Sequence, residues 1–492
     1  MSRYILAVDQ STQGTKGLIF DEQGILVGRA DRPHKQIIND LGWVSHDPME
    51  IRANTLAVCR DVIEKTGIEK GDIIAMGISN QRETTVAWNK ETGESICNAI
   101  VWQCARATEL CEKRAALADM IQRRTGMNLS PYFPAAKMGW ILENVPEAKV
   151  LANENTLALG TVDAWLVFSL TTDHAHKTDY SNASRTQLFD ISALRWDEEI
   201  CEAFGIPVEA LPQVAMSDSC FGMTDLGGYL EQPIPIHGVL GDSHGALFGQ
   251  DCRKPGQVKA TYGTGSSVMM NIGTEPKFST SGLVTSLAWG MNGKVEYVFE
   301  GNLNYTGAVM TWLRKDVGLI ETDPEATDMA YAANPNDRTY FVPAFSGLGA
   351  PYWDSHATGM FTGISRTTGR NEIAKACLDC IAYQITDLTD LMRADSGVTL
   401  DALRVDGGPT ASRYLMQFQS DMAQVTVQVP NLQELSGMGA AYAAGIATKL
   451  YDPETIYDHI QRREYKPELP AEEREERYTG WKNAVKQTLY HP

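Results

Sequence analysis

Short apolar runs rich in β-formers alternate along this chain with segments whose apolar residues recur at helical spacing. Tyr4–Val8 and Gly17–Phe20 flank the polar stretch Gln10-Ser11-Thr12-Gln13-Gly14-Thr15-Lys16. That pattern predicts a β-hairpin with hydroxyls, a glycine and a lysine at its tip, beside Asp9. Asp47-Pro48-Met49-Glu50 reads as a helix start, with helical periodicity continuing to about Lys65. Ile73–Ile78 predicts a buried strand that ends on the polar run Ser79-Asn80-Gln81-Arg82-Glu83-Thr84-Thr85. Polar side chains bunched at the C-terminal end of a strand mark where ligands sit in α/β sheets. Ala99–Gln103 reads as a further strand, and about Ala105–Arg114 as a helix. After a less regular region, Ile236–Leu240 is the next strand. The alternation then resumes with Val295–Glu300, a helix from about Thr306 to Leu313, and a long helix over about Arg370–Arg393 that precedes Leu403-Arg404-Val405 and the acidic turn Asp406-Gly407-Gly408. Gly437–Leu450 is a helix rich in small residues, suited to close packing against a neighbour. The pattern predicts an α/β protein whose two halves are built alike, although no clean sequence repeat links them.

Composition narrows the possibilities. A chain of 492 residues is too long for one core, so two or three domains are expected. The formal net charge of −19 argues against nucleic acid or an anionic membrane as the main partner. No apolar run approaches the ~20 residues of a membrane span, and the N-terminus lacks a signal-peptide core, so a cytoplasmic location is expected. Nine scattered cysteines fit a reducing compartment. The Cys377-x-x-Cys380 pair lies in a helical pattern without a second pair, which predicts buried thiols rather than a metal site.

The densest chemistry lies between Gly241 and Met270. Asp242 stands in a glycine-flanked turn, and Gly263-Thr264-Gly265 follows in the same stretch. Glycines around a Thr let backbone N–H groups and a hydroxyl close on an anion without a Cβ in the way. A carboxylate facing such a cradle suits a kinase, supplying a base for the attacking hydroxyl and donors for the phosphoryl group. Each loop taken alone also reads as a plain solvated turn. A Walker-type loop is excluded, since no G-x-x-x-x-G-K-[ST] occurs.

Taken together, D-Q-S-T-Q-G-T-K at Asp9–Lys16, G-D-S-H-G-A-L-F-G at Gly241–Gly249, T-Y-G-T-G at Thr261–Gly265 and L-R-V-D-G-G-P at Leu403–Pro409 resemble the FGGY carbohydrate kinases. Longer stretches are similar to the glycerol-phosphorylating branch of that family, among them W-V-S-H-D-P-M-E-I, N-Q-R-E-T-T, D-Y-S-N-A-S-R-T and V-P-A-F-S-G-L-G-A-P-Y-W-D. The resemblance implies two actin-like (ribonuclease H-like) ATPase domains flanking a central cleft, residues 1–250 and 251–492. It implies ATP and Mg²⁺ as cofactors, a small polyol or sugar as substrate, and a homodimer or homotetramer. Asp242 would be the catalytic base. Arg82, Glu83, Trp102 and Tyr132, with Asp242, Ser243 and Ser267, would bind the substrate. Thr12, Gln13, Gly14 and Lys16 would hold the phosphates. Thr264, Gly307, Thr311, Gly408 and Ser412 would hold the nucleotide from the second domain. Asp9, through water, and Asp242 would hold the metal.

The chain departs from the branch at several of these positions. Ser243 replaces a usual Gln, and Ser267 replaces a Phe that packs on the three-carbon substrate. Trp289 stands where a small residue is usual, and refilling the space is one role open to it. In the phosphate hairpin Ser11, Gln13 and Gly14-Thr15 are also unusual, as are Thr311 and Ser412 in the second domain. Glycerol is the leading substrate, with a tetritol, pentitol or ketopentose as the alternative. A non-catalytic sugar sensor is disfavoured because Asp9, Asp242 and both Gly-Thr turns are present. An actin-like chaperone or filament protein is disfavoured by Arg82, Glu83, Trp102 and Tyr132.

Overall fold

The computed structural model describes residues 2–490. The first half of the chain builds a six-stranded sheet from β1 (Tyr4–Gln10), β2 (Gly14–Phe20), β3 (Leu26–Pro33), β4 (Ile73–Asn80), β5 (Gly222–Thr224) and β6 (Ile234–Gly241). Their order across the sheet is β5-β6-β4-β1-β2-β3. The second half builds a seven-stranded sheet from β7 (Gln257–Tyr262), β8 (Ser266–Gly273), β9 (Val284–Met291), β10 (Lys294–Leu303), β11 (Ala402–Asp406), β12 (Thr426–Pro430) and β13 (Arg462–Tyr465). The order there is β9-β10-β8-β7-β11-β12-β13.

The two sheets share one plan. In the first, β1-β2-β3 form an antiparallel meander, and β4 then β6 add in parallel beyond β1. In the second, β7-β8-β10 form the meander, and β11 then β12 add in parallel beyond β7. The duplication is therefore one of topology. Strands buried on both faces require only near-continuous apolar character, so two such sheets keep a common fold without keeping a common sequence.

Helix α1 (Pro48–Thr66) starts where the Asp47-Pro48 signal places it, the Asp47 side chain accepting from the Met49 N–H. Four further helices matter for the site: α2 (Pro134–Asn144), α3 (Val162–Leu170), α4 (Asp242–Gly249) and α5 (Gly307–Lys315). They are followed by α6 (Arg370–Ser396), α7 (Arg413–Ala423) and α8 (Leu435–Ala447). Helix α4 follows β6 and α8 follows β12, so the two are topological counterparts. They pack on one another where the halves meet. A Cβ at Gly439 would overlap the Gly245 carbonyl oxygen, so the small-residue pattern of α8 is what permits this approach. Helix α8 also covers the first sheet, Met438, Ala441 and Tyr442 sharing a core with Ile5, Ala7, Leu18 and Phe20. In return Ala183, Phe189 and Ile191 enter the core of the second sheet. We propose the division of the chain after residue 250 for the two sheets; the packing crosses it in both directions.

Three local expectations change. Asp242 opens helix α4 instead of sitting in a turn, because Gly241 takes the extended N-cap conformation. Only Ala99–Ile100 of the expected Ala99–Gln103 strand pairs, since Cys104 N–H turns back onto the Val101 carbonyl. The helix expected over about Ala105–Arg114 shrinks to Thr108–Glu112. Arg106 there leaves the helical path to stand over the Trp43 and Trp140 rings. All nine cysteines are free, and Cys377 and Cys380 are buried in α6.

One buried acid links the fold to pH. Asp163 in α3 accepts from Thr161 Oγ1 at 2.5 Å and Thr178 Oγ1 at 2.6 Å. Burial, with Asp179 adding, pushes its carboxyl up to about 7. The folded pKa lies above the unfolded value of about 3.9, so the stabilisation is complete below pH ~4 and is lost as pH rises through 7. Asp163→Asn is neutral at every pH and keeps the shape. Its melting temperature relative to wild type should therefore climb between pH 4 and pH 8; a pH-independent difference in thermal scans would contradict this.

Candidate active site

Two cavities meet at Gly408. The first, about 570 Å³, is lined by Thr264, Gly307, Thr311, Gly408 and Ser412, the five second-domain residues expected at the nucleotide. Thr264 is the exposed tip of the β7–β8 hairpin, and its carbonyl accepts from the N–H groups of Thr306 and Ala308, both at 3.0 Å. This ties the tip to the start of α5. The Gly307 N–H donates to the Gly263 carbonyl at 2.9 Å and is thus spent on the fold. Thr311 Oγ1 donates back to the Gly307 carbonyl at 3.3 Å. Ser412 caps α7 by accepting from Leu415 N–H, and its hydroxyl lies 2.7 Å from Thr327 Oγ1. At Gly408 the space beside the Cα is open, so the backbone there can meet a ligand closely.

The second cavity, about 630 Å³, is lined by Asp9, Lys16, Asp406, Gly407, Gly408 and Glu434 among others. Asp9 and Lys16 face each other across the β1–β2 hairpin. Ser79 Oγ donates to Asp9 Oδ1 at 3.0 Å, and Lys16 Nζ stands 3.4 Å from Asp9 Oδ2. Burial pushes the Asp9 carboxyl above its usual range; Lys16 works against this and the negative charge of Asp242 adds to it. Lys16 Nζ donates to Glu434 Oε2 at 2.6 Å, and Arg29 pairs with the other oxygen of Glu434. Glu434 precedes α8 as Gly241 precedes α4, so each counterpart helix carries a carboxylate at its start. Thr12, Gln13 and Gly14 lie in neither wall. Gln13 is exposed, Gly14 accepts from Ser11, and Thr12 Oγ1 accepts from Trp102 Nε1 at 3.0 Å.

Asp242 opens α4 at the end of β6, about a third exposed at 35%. Its Oδ1 lies 3.2 Å from Arg82 Nε. Arg82 comes from the tight turn after β4, in which Thr84 N–H reaches the Arg82 carbonyl at 2.7 Å and Glu83 takes a positive φ of 59°. A non-glycine residue in that region is strained and persists only where its surroundings hold it. The holding group is Arg185, whose Nε donates to Glu83 Oε1 at 2.6 Å. Both terminal nitrogens of Arg82 go to Glu300 on β10, at 3.0 and 2.9 Å. Arg185 Nη1 is 2.8 Å from Glu300 Oε2, close enough for an ion pair but not aligned as a hydrogen bond. Burial works against the charge of Glu300, yet Arg185 and Arg82 hold its carboxyl well below the usual range. Trp102 and Tyr132 stand edge to face, centroids 5.6 Å apart. Lys137 of α2, brought down to about 7 by burial, donates to the Tyr132 carbonyl. Arg82, Glu83 and Asp242 thus belong to one ion network, and Trp102 joins Tyr132 to the phosphate-hairpin residue Thr12.

Ser243 and Ser267 sit on opposite halves. Ser243 follows Asp242 on α4, and Ser267 Oγ donates to Glu300 Oε1 at 3.3 Å. Trp289 does not stand beside them. It lies opposite Glu296 near the start of β10, whereas Ser267 lies opposite Asn302 near its end. Trp289 is buried against Phe248, at the far end of α4 from Asp242, with centroids 5.2 Å apart. It is a core residue. Among the described residues no three His, Cys, Asp or Glu side chains form a metal cage. Two carboxylates, Asp9 and Asp242, suit an ion that keeps most of its ligands as water and phosphate oxygen.

Glu300, Arg185 and Glu434 escaped the sequence reading. Arg185 lies within the D-Y-S-N-A-S-R-T stretch, and Glu300 closes the apolar run Tyr297–Phe299 of β10. A charge directly after the apolar run Tyr297–Phe299, inside a buried strand, is the available signal.

A duplicated α/β core, with carboxylates and basic groups gathered at strand ends beside two cavities, is an arrangement suited to phosphoryl transfer. The model of the FGGY family of carbohydrate kinases, N-terminal domain, matches residues 4–249, and that of the C-terminal domain matches residues 258–448. The chain belongs to this family, whose members are kinases. It is 46% identical to glycerol kinase 1 of Thermotoga maritima over 490 residues, 99% of each chain. It is 45% identical to the glycerol kinase of Symbiobacterium thermophilum, over 98% of this chain and 97% of that one. The crystal structure of Plasmodium falciparum glycerol kinase with ADP superposes with a TM-score of 0.94 at 35% identity, covering 100% of this chain and 99% of that one. A xylulose kinase from Lactobacillus acidophilus shares the fold, with a TM-score of 0.86 at 23% identity over 99% and 97% of the two chains. No helix among the described residues is long and apolar enough to cross a membrane.

Proposed function

We propose that this enzyme transfers the γ-phosphoryl group of ATP to a terminal hydroxyl of a small polyol, with glycerol as the leading substrate. The observation that carries the reading is the Asp242–Arg82 contact, in a chain that matches glycerol kinases from end to end. Asp242 accepts the proton of the attacking hydroxyl as the new O–P bond forms and the bond to the leaving ADP breaks. Arg82 and Glu83 hold the remaining hydroxyls, and Trp102 and Tyr132 cover the carbon chain. Thr12, Gln13, Gly14 and Lys16 hold the phosphates, while Thr264, Gly307, Thr311, Gly408 and Ser412 hold the nucleoside side. Asp9, through water, and Asp242 would hold Mg²⁺, whose charge would neutralise that of the phosphates. Most of the catalysis is positioning, which a rigid ion network around Arg82 supports. A cytoplasmic location, which suits the nine scattered cysteines, and a homodimeric or homotetrameric state, which the resemblance implies, belong to the same proposal.

A longer polyol is the second reading, favoured by the packing of Trp289 away from Ser243 and Ser267. Two serines in place of a Gln and a Phe leave less apolar cover and add hydroxyls that can pair with further carbinol groups. ATP turnover across glycerol, erythritol, the pentitols and the ketopentoses tests both readings. Glycerol should be phosphorylated, and a four- or five-carbon polyol should be accepted at least as well. Activity on glycerol alone would exclude the second reading, and inertness toward every alcohol would exclude the first.

A further inference from the structure

We infer that Glu300 is a positioning residue for the alcohol substrate: from the second sheet it holds Arg82, and with Arg185 it sets Glu83, on the first. The inference rests on the polyol-kinase reading and concerns the same site. Glu300 is buried on β10, yet its carboxylate meets Arg82, Arg185 and Ser267, which belong to the site or border it. Its two oxygens take both terminal nitrogens of Arg82 at 3.0 and 2.9 Å. That end-on fork fixes the guanidinium plane and leaves the third nitrogen, Nε, 3.2 Å from Asp242 Oδ1 as an ion pair. Its Oε2 also faces Arg185, whose Nε holds Glu83 in a strained positive-φ conformation. Ser267 Oγ reaches the same carboxylate.

The charges show why the carboxylate must be there. Two guanidiniums, Arg82 and Arg185, sit among three carboxylates, Asp242, Glu83 and Glu300. Without the charge of Glu300, Arg82 would be drawn onto Asp242 and Arg185 onto Glu83. Each would then occupy oxygens that the substrate hydroxyls and the transferred proton need. Because Glu300 stands on the sheet opposite the turn that carries Arg82 and Glu83, it also makes the alcohol grip depend on how the two halves meet. A merely structural buried pair would affect stability and both substrates alike.

The test compares full-length wild type, Glu300→Gln and Glu300→Asp by steady-state kinetics with the best alcohol and with ATP. For Glu300→Gln, kcat/KM for the alcohol should fall about 10²-fold, while KM for ATP stays within about twofold. Glu300→Asp keeps the charge but cannot span both nitrogens, so it should fall between the two. If Glu300→Gln does not fold, a raised alcohol KM with normal ATP KM in Glu300→Asp supports the inference. An unchanged alcohol KM in either soluble variant, or equal losses for both substrates, overturns it. The wild type is measured first: failure to phosphorylate any alcohol would count against the kinase reading, whereas a normal wild type beside an indifferent Glu300 variant would count against this inference alone.

Discussion

Asp242→Asn should lower kcat by about 10²-fold or more while ATP still binds. The substitution preserves shape and the place at the start of α4 but removes the proton acceptor. Its structural cost is small, because Asp242 is partly exposed and its one ion pair is with the Nε of Arg82. Arg82 keeps both contacts to Glu300 in the variant, so the turn that carries Glu83 stays in place. Loss of turnover should therefore come without loss of fold. Rates from coupled ADP release, set beside nucleotide affinity from calorimetry, separate the two. A variant with near wild-type turnover would remove Asp242 from the mechanism.

Arg82→Ala should raise the KM for the alcohol by about 10²-fold and leave that for ATP nearly unchanged. It also leaves Glu300 buried with Arg185 as its one remaining ion-pair partner among the described residues, and removing one partner of a buried pair costs about 3–5 kcal/mol. The variant should melt well below wild type, so kinetics belong at a temperature where circular dichroism shows it folded. Equal increases in both KM values would mean that the arginine serves the fold and not the substrate.

The hairpin of Asp9 and Lys16, the Asp47-capped helix and the strand before Arg82 were legible because each depends on neighbours in sequence. The shared plan of the two sheets was legible only as a likeness of alternation, since strand order is decided by contacts far apart in the chain. The strand expected through Gln103 and the helix expected from Ala105 gave way to tertiary contacts of Arg106 with Trp43 and Trp140, which no local pattern announces. At the site, Arg82 and Asp242 stood out within polar motifs. Glu300 did not, because its meaning comes from two arginines that the fold brings to it from 218 and 115 positions away. Trp289 shows the reverse limit. An aromatic residue at an unusual position invited a role in the pocket, and β-register carries it into the core beside Phe248.

The most direct test of the account is to follow the phosphorus itself. Phosphorus NMR of the wild-type enzyme with ATP, Mg²⁺ and glycerol should show the γ-phosphate signal replaced by that of a primary phosphomonoester, with ADP formed in equal amount. Inorganic phosphate as the product, or no loss of ATP with glycerol or any longer polyol, would contradict it.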